Sequence, residues 1–149
     1  MSVVALLPIA AGAEAPGKTV DACTVLSGDE IKMALGRHEI GAAKPSRASG
    51  GSSDCRFAGG GLGDVRVILG PTTKADFDLK PEIYSEEHRK FEKVAGLGDG
   101  AYYFEDTVEM RVGRRVLSLF VNRTPGTEAP AVVKTALTNL ARRAADRLR

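Results

Sequence analysis

The chain has no tryptophan, three tyrosines and five phenylalanines among its 149 residues. A core organised around large rings is therefore excluded, and Val, Leu, Ile and Ala must fill it. Two histidines and two cysteines are too few for a Cys/His zinc site unless carboxylates complete it. No Gly-x-Ser-x-Gly, Ser-x-x-Lys or Cys-x-x-Cys motif occurs, so nothing preorganises a nucleophile against a base. No apolar run reaches the ~20 residues of a membrane-crossing helix, and there are no heptads and no long block of like charge. Neither an enzyme nor a cofactor carrier is expected, and no nucleic-acid partner.

What the chain does have begins with an uncharged apolar leader, Val3 to Ala13 (VVALLPIAAGA), about the length of a signal-peptide core. Ala11 and Ala13 satisfy the small-x-small cleavage rule, so residues 1–13 are expected to be a signal peptide and 14–149 one domain. Met1 and Ser2 supply none of the cations that usually precede such a core. A buried N-terminal strand or helix is the alternative, and Pro8 with the Ala/Gly tail argues against it. The expected location is extracytoplasmic, periplasmic or secreted.

In an oxidising compartment Cys23 and Cys55, the only thiols, are expected to pair. A loop of that length is stabilised by roughly 3.5–4 kcal/mol on a chain-entropy estimate. Two buried free thiols or half a metal site are the alternatives. Cys23 follows Val20-Asp21-Ala22, which does not fit a lipid-attachment motif.

Net charge is +2 but unevenly spread. Residues 1–110 carry 12 Lys/Arg against 17 Asp/Glu, whereas residues 111–149 carry 9 against 2. Arg111, Arg114, Arg115, Arg123, Arg143 and Arg147 are thus a candidate patch for an anionic partner, with peripheral membrane contact as one form of it. The alternative is that these cations complement a helix C-terminus and an acidic edge of the same domain.

Ser27-Gly28-Asp29-Glu30 reads as a capping box opening a short helix that stops at Gly36. Residues 37–53 read as a polar loop. Cys55-Arg56-Phe57 and Val65–Leu69 read as a hairpin turned by the glycines at 59–63. That glycine run precedes a strand rather than a helix, which excludes a phosphate loop. A second helix is expected over roughly 81–92, with Tyr84, His88 and Phe91 on one face and Glu82, Glu86 and Asp78 as a weak cation candidate. Strands follow at Ala101–Glu105, Val108–Val112 and Val116–Asn122, the last apolar on both faces and so central. A helix from about Thr127 closes the chain, with Val133, Leu137, Leu140, Ala144 and Leu148 as its apolar stripe. The order α-β-β-α-β-β-β-α with short connections predicts an α+β domain, an antiparallel sheet with helices on one face.

The opening Asp21-Ala22-Cys23-Thr24-Val25-Leu26-Ser27-Gly28-Asp29-Glu30-Ile31, with Ala34-Leu35-Gly36, carries a resemblance. Asp54-Cys55-Arg56-Phe57 and Val94-Ala95-Gly96-Leu97-Gly98-Asp99-Gly100-Ala101-Tyr102-Tyr103 extend it over roughly 21–148. The chain resembles an uncharacterised family of actinobacterial cell-envelope lipoproteins. More distantly it is similar to the extracellular sensor domain of a mycobacterial serine/threonine kinase. The resemblance implies a disulfide-bonded α+β domain with a cleft proposed to bind a ligand and no established enzymatic activity. The expected partner is a small or lipidic ligand or an envelope protein, bound between sheet and helices. A protein-interaction module or inhibitor acting through its sheet face or the loops at 37–53 and 59–63 is the second reading, and a small hydrolase the third.

Overall fold

Asp21 Oδ1 accepts a hydrogen bond from the Cys23 N–H (2.9 Å) and so starts α1 (Ala22–Val25). In the capping box, Ser27 Oγ accepts from the Glu30 N–H (3.2 Å) and Glu30 Oε2 from the Ser27 N–H (2.9 Å). α2 (Gly28–Leu35) follows and ends at Gly36, whose φ of 64° suits glycine. The computed structural model describes residues 20–46, 48–87 and 90–149. The leader at 1–13 and His88 lie outside them.

Two antiparallel meanders make one seven-stranded sheet of the described residues. The first is β1 (Ala43–Ser46), β2 (Ser53–Phe57) and β3 (Val65–Pro71). The second is β4 (Glu92–Lys93), β5 (Gly100–Phe104), β6 (Thr107–Val112) and β7 (Arg115–Val121). They meet at β3–β7, where Val67 faces Leu119, giving the order β1-β2-β3-β7-β6-β5-β4. β7 is thus the central strand, as its two-faced apolarity predicts. Gly113-Arg114 makes the two-residue turn between Val112 and Arg115. Gly-Leu-Gly-Asp occurs twice, before β3 and before β5. A side-chain carbon at Gly63 would stand 1.7 Å from Asn122 O, and one at Gly98 2.5 Å from Arg111 O. Both copies serve close passage of the backbone past a neighbouring strand.

One face of the sheet buries Val65, Val67, Leu69, Val108, Met110, Leu117, Leu119 and Val121. Against it lies α5 (Pro130–Leu148), whose whole predicted stripe is buried. α1 and α2 complete the layer with Val25, Ile31 and Leu35, so sheet and helices share one continuous apolar cluster.

The fold class is as expected, with α1 and β4 as added short elements, and three further details differ. The segment 37–53 contains an added strand, β1, which pairs with β2 from Ala43 opposite Phe57 to Ser46 opposite Asp54. The helix expected at 81–92 is instead α3 (Lys74–Asp78), capped by Thr73, followed by α4 (Lys80–Glu86) with Pro81 in its first turn. Phe91 lies beyond α4, just before β4, although its ring still meets Tyr84 at 5.3 Å between centroids. Finally, the helices are not all on one face. Ring and ion-pair contacts place α3 and α4 against Tyr102, Phe104 and Glu109. The strand register puts those three residues on the face opposite Ala101, Val108 and Met110. Pairing β3 with β7 forces this, because the chain must cross from mid-sheet to the far edge to begin β4.

Cys23 and Cys55 are bonded, with Cα atoms 5.0 Å apart, and tie α1 to β2. Ala22 N–H donates to Ser53 Oγ (2.9 Å) beside the crosslink. Thiol titration of unfolded, unreduced protein is therefore expected to find no free cysteine; two reactive thiols per chain would contradict the crosslink. Leu119 is wholly buried at the centre of the sheet. Leu119→Ala is expected to cost about 2–5 kcal/mol in urea unfolding. Leu119→Asp, which buries an unpaired charge, is expected to abolish the cooperative transition.

Candidate functional site

The sheet face away from α5 is covered on one side only. Five of the chain's eight aromatic residues gather there, outside the main core. Tyr102 and Phe104 rise from β5, Phe77 comes from α3, Tyr84 from α4, and Phe91 from the segment before β4. Their ring centroids follow one another at 5.2, 4.5, 5.3 and 4.9 Å from Phe77 through Tyr102, Phe91 and Phe104 to Tyr84. Offset ring contacts of this kind each stabilise by about 0.5–1.5 kcal/mol beyond area burial. Together they hold α3–α4 down over β5 and β6.

Beneath this flap lies a buried carboxylate, Glu109 on β6. Lys80 Nζ of α4 donates to its Oε2 (2.7 Å), and Ser118 Oγ of β7 donates to its Oε1 (3.0 Å). A charge in such a place is tolerated because it is paired and hydrogen-bonded. The cluster anchors the flap, with the Ser118 proton donated to a carboxylate that also pairs with the Lys80 ammonium.

Beyond the flap, β3 and β7 leave Arg66, Ile68, Val116, Ser118 and Phe120 half-exposed. The Arg66 guanidinium lies 5.5 Å from the centre of the Phe120 ring and forms an ion pair with the buried Asp54. Arg56 pairs with Asp64 at 2.5 Å. The result is a half-exposed stretch of sheet, with apolar and charged side chains side by side, next to the flap. A partner with both apolar and polar groups suits it.

The six candidate arginines are not brought together on this half-exposed stretch. Arg147 donates to both oxygens of Glu30 (2.9 and 2.6 Å) and to Val25 O (2.6 Å), and Arg143 approaches Glu30 at 3.6 Å. Arg123 donates to Asp106 Oδ2 (2.7 Å) and to Glu128 O (2.6 Å). Arg111 donates to Gly113 O (2.9 Å) and lies 3.6 Å from Asp99. Arg114 and Arg115 flank the β6–β7 turn, where Arg114 O accepts from the Thr72 N–H (2.9 Å). Asp106 also accepts from the Tyr103 hydroxyl (3.1 Å). Burial and this neighbouring charge push the Tyr103 phenol up to about 12. Among the described residues no group of three or more His, Cys, Asp or Glu side chains could hold a metal ion, and none of the helices could cross a membrane.

One site was not anticipated from the sequence. Arg37, just after α2, is 3% exposed. Its guanidinium donates to Gly63 O (2.7 Å), Leu62 O (2.9 Å) and Glu128, with the second Glu128 oxygen at 3.1 Å. The only hint in the sequence was its position directly after the glycine that ends α2.

Searches of known protein families, of characterised proteins and of solved structures find no match to this chain.

Two of the carboxylates with arginine partners bear on acid stability. The hydrogen bond from Arg37 holds Glu128 down at about 2, and that from Arg147 holds Glu30 at about 2, against an ordinary 4.5. Because the folded values lie below the unfolded ones, this stabilisation is complete above about pH 4.5. It is lost as the pH falls towards 2. Urea midpoints are expected to drop across that window. Glu128→Gln and Glu30→Gln should each lower the midpoint at pH 7 and flatten the drop; an unchanged slope would contradict the assignment.

Proposed function

We propose that this is a non-enzymatic extracytoplasmic binding domain whose binding surface is the uncovered part of the sheet beside the α3–α4 flap. The observation that carries it is the half-covered sheet face, with Ile68, Val116 and Phe120 set among Arg66, Ser118 and Arg56. The occupant is a small or lipidic ligand or a segment of an envelope protein. Three further points support the reading. The disulfide fits an oxidising compartment, the leader fits export, and the family resemblance implies a ligand-binding cleft with no established enzymatic activity. The position differs from that first expected, because the layer between sheet and α5 is filled by the continuous core. Arg111, Arg123, Arg143 and Arg147 are engaged within the domain, which supports a role for them in its own electrostatics ahead of an anionic partner.

Native mass spectrometry of protein purified from its own host tests this. A retained mass is expected on the wild type and is expected to be absent from an Ile68→Asp/Phe120→Asp variant with an unchanged circular dichroism spectrum. A retained mass indifferent to that variant would place binding elsewhere.

A further inference from the structure

The solvent side of α5 is of two kinds. From Arg142 to Arg149 every exposed residue is charged, as a solvent-facing helix surface ordinarily is. From Pro130 to Ala141 the exposed residues are Pro130, Ala131, Val132, Thr135 and Asn139, none of them charged. Lys134, the one cation of that stretch, is turned aside onto Glu92 (2.6 Å). Across from this surface, Met33 of α2 is 72% exposed, and Val132 on α5 is 49% exposed. Between the two helices is an opening of about 370 Å³, lined by Ala34, Ala136 and the exposed Ala131, Val132, Thr135 and Asn139. Depletion of charge with methionine beside it is the composition of an interface core.

The face carries a projecting side chain and an opening together, which is what self-association around a two-fold axis requires. α2 and α5 run antiparallel, since Glu30 at the start of α2 meets Arg147 near the end of α5, and Arg37 just past α2 meets Glu128 just before α5. A two-fold axis along the groove lays α2 of each copy on α5 of the other and carries each Met33 to the other's opening. The charges agree with that operation. Asp29 stands one helical turn before Met33, its side chain 90% exposed and its nearest cation Lys32 at 3.8 Å. Arg142 donates to Asn139 Oδ1 (3.3 Å) and pairs with no carboxylate among the described residues. The axis brings Asp29 of one copy to Arg142 of the other, twice. Counted whole, α2 holds Asp29, Glu30 and Lys32, and the end of α5 holds Arg142, Arg143, Asp146, Arg147 and Arg149. An acidic helix start therefore meets a basic helix end. A bilayer is a poorer match, because Met33 and Val132 are too little apolar surface for an interfacial helix face.

We infer that two copies of this chain associate through the α2–α5 face, with Met33 of each seated in the groove of the other and Asp29 paired with the other's Arg142. An unbranched thioether suits an opening of irregular shape. α2 has only eight residues, so the contact falls short of the roughly 1,200 Å² of a stable interface and the dimer is a weak, transient one. The half-covered sheet face lies on the far side of each domain from α5, so the pair presents two such faces outward.

The test uses the disulfide-bonded chain at about 0.01–1 mM, because a weak dimer populates with concentration. The sedimentation coefficient is expected to rise over this range towards that of a dimer. In NMR spectra the amides that shift on dilution should cluster within 29–36 and 131–142. Met33→Glu should raise the midpoint concentration at least about tenfold, as loss of a central anchor does. Asp29→Lys and Arg142→Glu should each weaken association, and the two together should restore it, since the reversed charges meet again across the axis. All three residues are exposed, so circular dichroism spectra should be unchanged. A chain still monomeric at about 1 mM overturns the proposal. So does a dimer indifferent to Met33→Glu, a double reversal that restores nothing, or dilution shifts that map elsewhere. Binding to phosphatidylglycerol vesicles that is lost with Met33→Glu overturns it too, since a bilayer would then be the occupant.

Discussion

A guanidinium taken almost wholly out of water must find partners for its N–H groups, and Arg37 finds them on three separate stretches of chain. It reaches the carbonyls of Leu62 and Gly63 in the β2–β3 connection and the carboxylate of Glu128 at the entry to α5, while its own backbone closes α2. None of these segments is held at that point by an extensive apolar contact, and two of them are irregular. The planar, rigid fork of donors fixes their relative positions in a way that hydrophobic burial, which has no direction, does not. Arg37 ties the start of α5 to the β2–β3 connection, where Arg123 also donates to Glu128 O and the Thr124 N–H to Leu62 O.

Charge elsewhere is used in the same economical way. Glu30 caps its own helix through the Ser27 N–H and also receives Arg147 from the last turn of α5. One carboxylate therefore fixes a helix start and joins the two ends of the α layer. On the opposite side of the sheet, Glu109 gathers Lys80 and Ser118, so the flap is oriented by a polar contact while its rings supply the burial. An Arg or Glu at these points cannot be exchanged for an isostere without leaving a buried partner unsatisfied.

Much of this architecture was legible in the sequence where a single periodicity governed a segment. Val108, Met110 and Val112 alternate because one face of β6 meets α5, and β7 puts Leu117, Leu119 and Val121 on that face and the apolar Val116 and Phe120 on the half-covered one. The α5 stripe reads at the helical period for the same reason. The flap escaped because its two short helices are apolar on both sides, Phe77 and Tyr84 inward and Leu79 and Ile83 outward. A segment of that length with Pro81 in the middle gives no resolvable period. β1 escaped because Ala43-Lys44-Pro45-Ser46 is exposed throughout and carries a proline, which marks an edge strand rather than a core one. The candidate arginines were identifiable as an excess of charge, but composition carries no information about which carboxylate each meets. Arg37 could not be singled out, because its partners lie 25 to 91 residues away in sequence.

The seam between the two meanders has a kinetic meaning. Within each meander the strands pair with near neighbours in the chain, whereas β3–β7 brings together Val67 and Leu119, with the whole flap and second meander between them. Closing that long loop is repaid only once Leu117, Leu119 and Val121 meet Val65, Val67 and Leu69, so it defines the slow step of assembly. Cys23 and Cys55 both precede the seam. The crosslink can therefore form before β7 has paired, leaving β3 as an exposed, half-built template that waits for its partner strand.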